Sequence, residues 1–204
     1  WLFIAKGDGE STLQHLQKSV LYLEETGFTP LLGHAWSGLG WGYYFLGELE
    51  AAQEHMEKGL KIQSDAGLTH QLSRYRYSLS MVHLDLGNLE RARSYIEGAA
   101  EVAHSNNEKH IEADSRITLG RVLGKMGKSE GVKAEESILQ GIRILDELKL
   151  RPSSSLGDLF LGEVYADTGQ REKALETLKK AESAFQEMGM EYWLRRTQEV
   201  LERL

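Results

Sequence analysis

Leu46-Gly47-Glu48-Leu49-Glu50, Leu86-Gly87-Asn88-Leu89-Glu90, Met126-Gly127-Lys128-Ser129-Glu130 and Thr168-Gly169-Gln170-Arg171-Glu172 are four versions of one stretch. Their glycines stand 40, 40 and 42 residues apart. Ala52, Ala92 and Ala174 each follow their glycine by five residues, while Ala134 follows Gly127 by seven, so two extra residues are expected in that turn. Leu39, Leu79, Leu119 and Leu161 each precede their glycine by eight. Self-similarity at a fixed period of this length is the mark of stacked supersecondary units.

A second column runs out of phase: Gly27, Gly67, Asn107, Lys149 and Gly189. Gly and Asn tolerate the left-handed conformation that closes a helix. The next residues are Phe28, Leu68, Glu108, Leu150 and Met190, mostly the apolar contact that accompanies such a cap. Lys149 and Glu108 each break their column once, so those two ends are expected to close differently.

Two stops per period mean two helices per repeat. The spacing predicts a first helix A at 29–46, 69–86, 109–126 and 152–168. Helix B falls at 49–65, 89–105, 131–148 and 171–188. Residues 1–6 end a partial helix A whose helix B is 9–26, and residues 190–204 form a last helix A. The polar side of that last helix, with Arg195, Arg196, Glu199, Glu202 and Arg203, suits a solvated terminus. Composition agrees: 31 Leu outnumber 15 Val plus Ile, and no stretch alternates apolar and polar residues. Ala174, Leu175, Leu178, Ala181 and Phe185 instead fall on one helical face.

The residues of this pattern resemble the tetratricopeptide repeat. Its signature appears as Trp36, Leu39-Gly40, Tyr43, Gly47, Ala52, Met56 and Gly59, and again as Leu161-Gly162, Tyr165, Gly169, Ala174, Leu178 and Ala181. The usual repeat has about 34 residues, so these are longer. Long repeats of this kind look like those in C-terminal tails of bacterial signalling ATPases, cyclases and transcription activators. The resemblance implies an all-α, right-handed α-solenoid of antiparallel helix pairs. It would occupy 1–204 as one domain: a half repeat 1–27, repeats 28–67, 68–107, 108–149 and 150–189, and the terminal helix 190–204. The chain starts at Trp1, inside a repeat, so a piece of a longer protein is expected.

A helical wheel of the first full helix A puts Leu32, Ala35, Leu39, Gly42, Tyr43 and Leu46 on one stripe. Trp41 and Tyr44 fall on the opposite side, about 140–200° away. The same wheel positions later hold Arg74, Tyr77, Met81 and Arg121. In the resembled family this side lines the concave groove. Trp41, Tyr44, Tyr77 and Met81 would then supply apolar anchors for a peptide or protein segment, and Arg74 and Arg121 would pair its carboxylates. Aromatic residues and Arg are the usual binding hot spots. The other reading of the same residues is burial against helix B or the preceding repeat.

Signals for chemistry fail. Gly38, Gly40 and Gly42 lie inside a predicted helix, not after a strand as a dinucleotide loop requires, so close packing or a bend explains them. Gly127-Lys128-Ser129 lacks the glycine five positions before Gly127, where Val122 stands, and so is no phosphate loop. The seven His have no helical i, i+4 pair for a metal; His70 and His110 sit at helix starts and should be solvated. With no Cys there is no thiolate site, which fits a cytoplasmic protein. A net charge of −7 disfavours nucleic acid, and no apolar run approaches the roughly 20 residues that span a bilayer. The expectation is a non-enzymatic interaction module without cofactor or metal, binding a protein or peptide, or upstream domains of its own chain. The alternative is a regulatory or ligand-sensing tail of a larger bacterial signalling protein.

Overall fold

The computed structural model describes residues 2–69 and 71–204; Trp1 and His70, the latter expected to be solvated, lie outside them. Among the described residues the fold is all-α: α1 (Leu2–Lys6), α2 (Gly9–Thr26), α3 (Thr29–Phe45), α4 (Leu49–Asp65), α5 (Leu72–Asp85), α6 (Leu89–Ser105), α7 (Lys109–Met126), α8 (Gly131–Glu147), α9 (Arg151–Asp167), α10 (Arg171–Met188) and α11 (Glu191–Leu201). The period places most ends within a residue or two. The exceptions are α5, whose first turn starts at Leu72 behind a left-handed Gln71, and α11, which ends at Leu201, three residues before the expected end.

Helix ends follow from the stop columns. After each even-numbered helix the chain turns left-handed, and the following amide reaches back five residues. Phe28 N–H donates to Leu23 C=O (3.0 Å), Leu68 to Gln63 (3.1 Å), Glu108 to Ala103 (2.8 Å), Leu150 to Leu145 (2.9 Å) and Met190 to Phe185 (3.0 Å). The two ends expected to differ therefore close like the others, with φ of 56° at Asn107 and 58° at Lys149. Five equal caps impose one geometry, and the local hydrogen bonds hold non-glycine residues in it. The exception lies elsewhere: Gly127 takes a positive φ of 151°, and a 3-10 turn at Lys128–Glu130 absorbs the two extra residues before α8.

The chain folds into two compact units, Trp1–Val102 and Ala103–Leu204. In the first, α2 packs on α3, α3 on α4, α4 on α5, and α3 also on α5. In the second, each of α7 to α11 packs on the next, and α7 and α11 both pack on α9. An odd-numbered helix is therefore enclosed on several sides, an even-numbered one mainly on one. All residues from Gly157 to Tyr165 of α9 are buried, whereas α10 buries only Ala174, Leu178, Ala181, Ala184 and Phe185.

Small residues let the paired helices meet. Gly38 and Gly42 lie under Leu16 and Leu13 of α2, and Gly40 lies against Met56 and the Ala52 carbonyl of α4. These three of the four glycines in α3 cost about 1 kcal/mol each in propensity, and close approach on two sides offsets that. No helix among the described residues is long and apolar enough to cross a membrane.

Candidate functional site

The off-core side of α3 meets α5, its odd-numbered neighbour. Trp41 Nε1 donates to Ser78 Oγ (2.9 Å), and Ser78 Oγ donates to the Arg74 carbonyl (3.0 Å). The Tyr44 hydroxyl donates to the Asp85 carboxylate. Around the indole lie Phe45, nearly parallel at 5.5 Å, Tyr44, edge-on at 5.2 Å, and Tyr77 at 6.3 Å. Such aromatic contacts add about 0.5–1.5 kcal/mol each beyond the area they bury.

This seam decides what each expected site residue presents. Trp41, Tyr44 and Met81 are buried, at 8%, 1% and 1% exposure. Tyr77 and Arg74 are half-buried, with surface left open beside the Trp41 cluster. The covering element is a neighbouring odd-numbered helix, which a single-helix wheel does not display.

Arg121 has the corresponding place in the second unit and is also buried. Its Nε donates to Glu163 of α9 (2.9 Å), whose other oxygen accepts from Nε of Arg196 on α11 (3.1 Å). One carboxylate thus ties three odd-numbered helices. The Arg121 guanidinium also lies over the Phe160 ring at 4.5 Å, a cation–π contact in a desolvated setting. Near the rim, Lys125 pairs with Asp167 at 2.6 Å. Arg121 therefore serves the scaffold directly.

Ser78, Asp85 and Phe160 are seam residues outside the groove set read from the sequence. A signal for the charged members exists: Arg121 and Glu163, like Lys125 and Asp167, have opposite charges 42 residues apart, the local repeat spacing.

Two buried polar groups, Tyr75 and Asp158, are tied into the frame. Burial pushes the Tyr75 hydroxyl up to about 12, and it donates to Gln63 Oε1 (3.3 Å). Burial also raises Asp158, against the lowering effect of Lys180 at 3.0 Å. Among the described residues no group of three or more His, Asp or Glu is placed to hold a metal. Leu21, Tyr22, Phe28 and Leu31, either side of the α2–α3 junction, are exposed apolar side chains of the first unit, as is Leu2 on α1.

Family models described as tetratricopeptide repeat match residues 73–106 and 159–187, and a further one matches residues 33–58. No curated protein matches the chain. Among solved structures, a Rap protein complexed with competence and sporulation factor superposes with a TM-score of 0.68 at 14% identity, over 98% of this chain and 61% of that one. BtubC (BKLC) from P. vanneervenii gives 0.64 at 22% identity, over 89% and 75%. YrrB, described as a TPR protein with an unusual peptide-binding site, gives 0.50 at 21%, over 92% and 86%. At these identities the likeness is one of fold.

Proposed function

Because three segments of the chain match tetratricopeptide-repeat models and the fold is that of such repeats, we propose that it works by binding a peptide or protein segment along its odd-numbered helices, without catalysis of its own. The observation that carries this reading is the half-buried pair Tyr77 and Arg74 on α5, backed by the buried Trp41 cluster. The Tyr77 ring offers an apolar contact, and Arg74, one turn earlier on the same helix, contributes positive charge toward a partner's carboxylate. In this reading Trp41, Tyr44 and Met81 hold the surface in place rather than touch the partner, and Arg121 does the same in the second unit through Glu163. YrrB and the Rap protein, whose descriptions name a peptide-binding site and a bound factor, lend the reading a precedent of fold.

The test is a displayed library of random 12-residue peptides panned on the chain. Selected peptides are then titrated calorimetrically against the parent, Tyr77→Ala and Arg74→Glu. Peptides that bind the parent and lose about tenfold or more with Tyr77→Ala support the surface. Peptides that bind all three equally refute it, as does a library that yields no binder.

A second reading, a regulatory or ligand-sensing module of a larger signalling protein, is favoured by the Rap likeness, which accounts for nearly all of this chain but only 61% of the Rap chain. The full-length polypeptide decides it: a catalytic or nucleotide-binding domain in the same chain supports it, and a free-standing repeat protein does not.

A further inference from the structure

His83 sits on α5 with no exposed surface, and neither ring nitrogen has a hydrogen-bond partner among the described residues. Its ring lies 5.3 Å from that of Tyr95 on α6, only 8° from parallel. One repeat earlier the same two columns hold the same residue types inverted. Tyr43 is on α3 and His55 on α4, with centroids 4.7 Å apart. There the histidine is half-buried, and its Nδ1 lies 2.8 Å from the Ala51 carbonyl. Of the column Tyr43, His83, Leu123 and Tyr165, only His83 has an ordinary pKa near neutral.

We infer that His83 is an acid-sensitive latch between α5 and α6. As a neutral ring it packs flat on Tyr95. A proton places a charge in a site that supplies no acceptor to either N–H, and a buried unpaired charge is costly. The ring then leaves the stack, and α6 loosens from α5.

The groups facing the ring come from three helices. Tyr95 and Arg91 lie on α6, and Arg91 opposes the proton; Glu57 on α4 favours it. From α5 itself, Arg76 acts on Tyr95. Helix α3, also packed on α5, has no Asp, Glu, Lys or Arg; its His34 meets Tyr75 edge-on, its Tyr43 lies tilted against His55, and Tyr44 donates to Asp85. Burial is the largest influence, so the folded state holds His83 below the ordinary imidazole value of 6.5. The unfolded chain takes up the proton first as pH falls. The contribution of the neutral ring is whole above about 6.5 and is lost progressively below it, by up to tenfold in the folding equilibrium constant per pH unit.

The test compares the parent with His83→Tyr, which restores the residue of Tyr43 and Tyr165, and with His83→Phe. Urea midpoints are read from pH 7.5 to 5.0, together with amide exchange in α5–α6 and α3–α4. The expected result is an acid loss larger in the parent than in either variant, with exchange rising first in α5–α6. Equal acid slopes in the parent and a folded variant overturn the latch. If neither variant folds, the His83 imidazole is titrated by NMR in the parent: a titration below 6.5, accompanied by faster α5–α6 exchange, supports it, and an ordinary titration without such exchange overturns it.

Discussion

Gly33 of α3 and Gly59 of α4 meet backbone against backbone. A methyl group on Gly33 would lie 2.8 Å from the Gly59 carbonyl oxygen, and one on Gly59 would lie 2.6 Å from the Gly33 carbonyl oxygen. Seven residues along α3, Gly40 repeats the approach against the Ala52 carbonyl at 2.8 Å, and in the second unit Gly120 does so against that of Ala134 at 2.6 Å. At the Gly33–Gly59 crossing the nearest partner on each side is main chain, so no side chain can turn aside to make room; at Gly40 and Gly120 the side chains of Met56 and Ile138 lie closer still.

Gly33→Ala is therefore expected to destabilise the first unit by about 1–3 kcal/mol through overpacking, even though alanine is the better helix former. Ala174→Leu should do the same in the second unit, where Ala174 has no exposed surface. Thermal and urea unfolding check both; an unchanged midpoint would show that the helices can part without cost.

Lys149→Gly is expected to stabilise. Lys149 is exposed and left-handed at φ 58°, in a column otherwise filled by Gly27, Gly67, Asn107 and Gly189. The left-handed conformation costs a residue with Cβ about 1–2 kcal/mol, and the greater freedom of glycine in the unfolded chain returns part of it. The expected gain is roughly 0.5–1 kcal/mol in urea unfolding. Gly189→Lys should lose a similar amount.

Glu163→Ala leaves Arg121 without its carboxylate at a site where the Arg121 side chain is 3% exposed. Removing one member of a buried pair typically costs about 3–5 kcal/mol. Asp167→Ala breaks the Lys125 pair, in which both side chains are 44% exposed, and should cost no more than about 1 kcal/mol. Chemical denaturation of the two variants separates an internal tie from a rim pair.

Asp158 sets a pH signature for the second unit. Burial raises its folded-state pKa above the ordinary value of 3.8, so its charged form opposes folding. That penalty is complete above the folded value and disappears as pH falls to 3.8. Asp158→Asn should accordingly raise the unfolding midpoint at pH 7, and the advantage should shrink toward pH 4. A constant difference across that range would mean that Lys180 compensates the carboxylate fully.

Much of the helix plan was legible because its causes are local. A left-handed Gly27 or Gly189 and the amide that follows it are set by residues within one turn, and the glycine and leucine columns repeat that information at each period. Lys149 and Glu108 show where this legibility stops: read singly they break their columns, yet the shared cap geometry imposes the same turn at both ends. The candidate site was less legible. The wheel separated Trp41 and Tyr44 correctly from the Leu39 stripe, but a second stripe signals a second contact as readily as a binding surface.

From the sequence alone came the period, the two helices in each repeat, the small residues at their crossings and the all-α class, since backbone conformation and short-range contacts determine them. The packing of α3 on α5 and of α7 and α11 on α9 decided which side chains face water. That outcome depends on neighbours about 40 residues away, whose distance and tilt no single helix encodes; so Trp41 and Arg121 became internal ties while Tyr77 and Arg74 kept open surface.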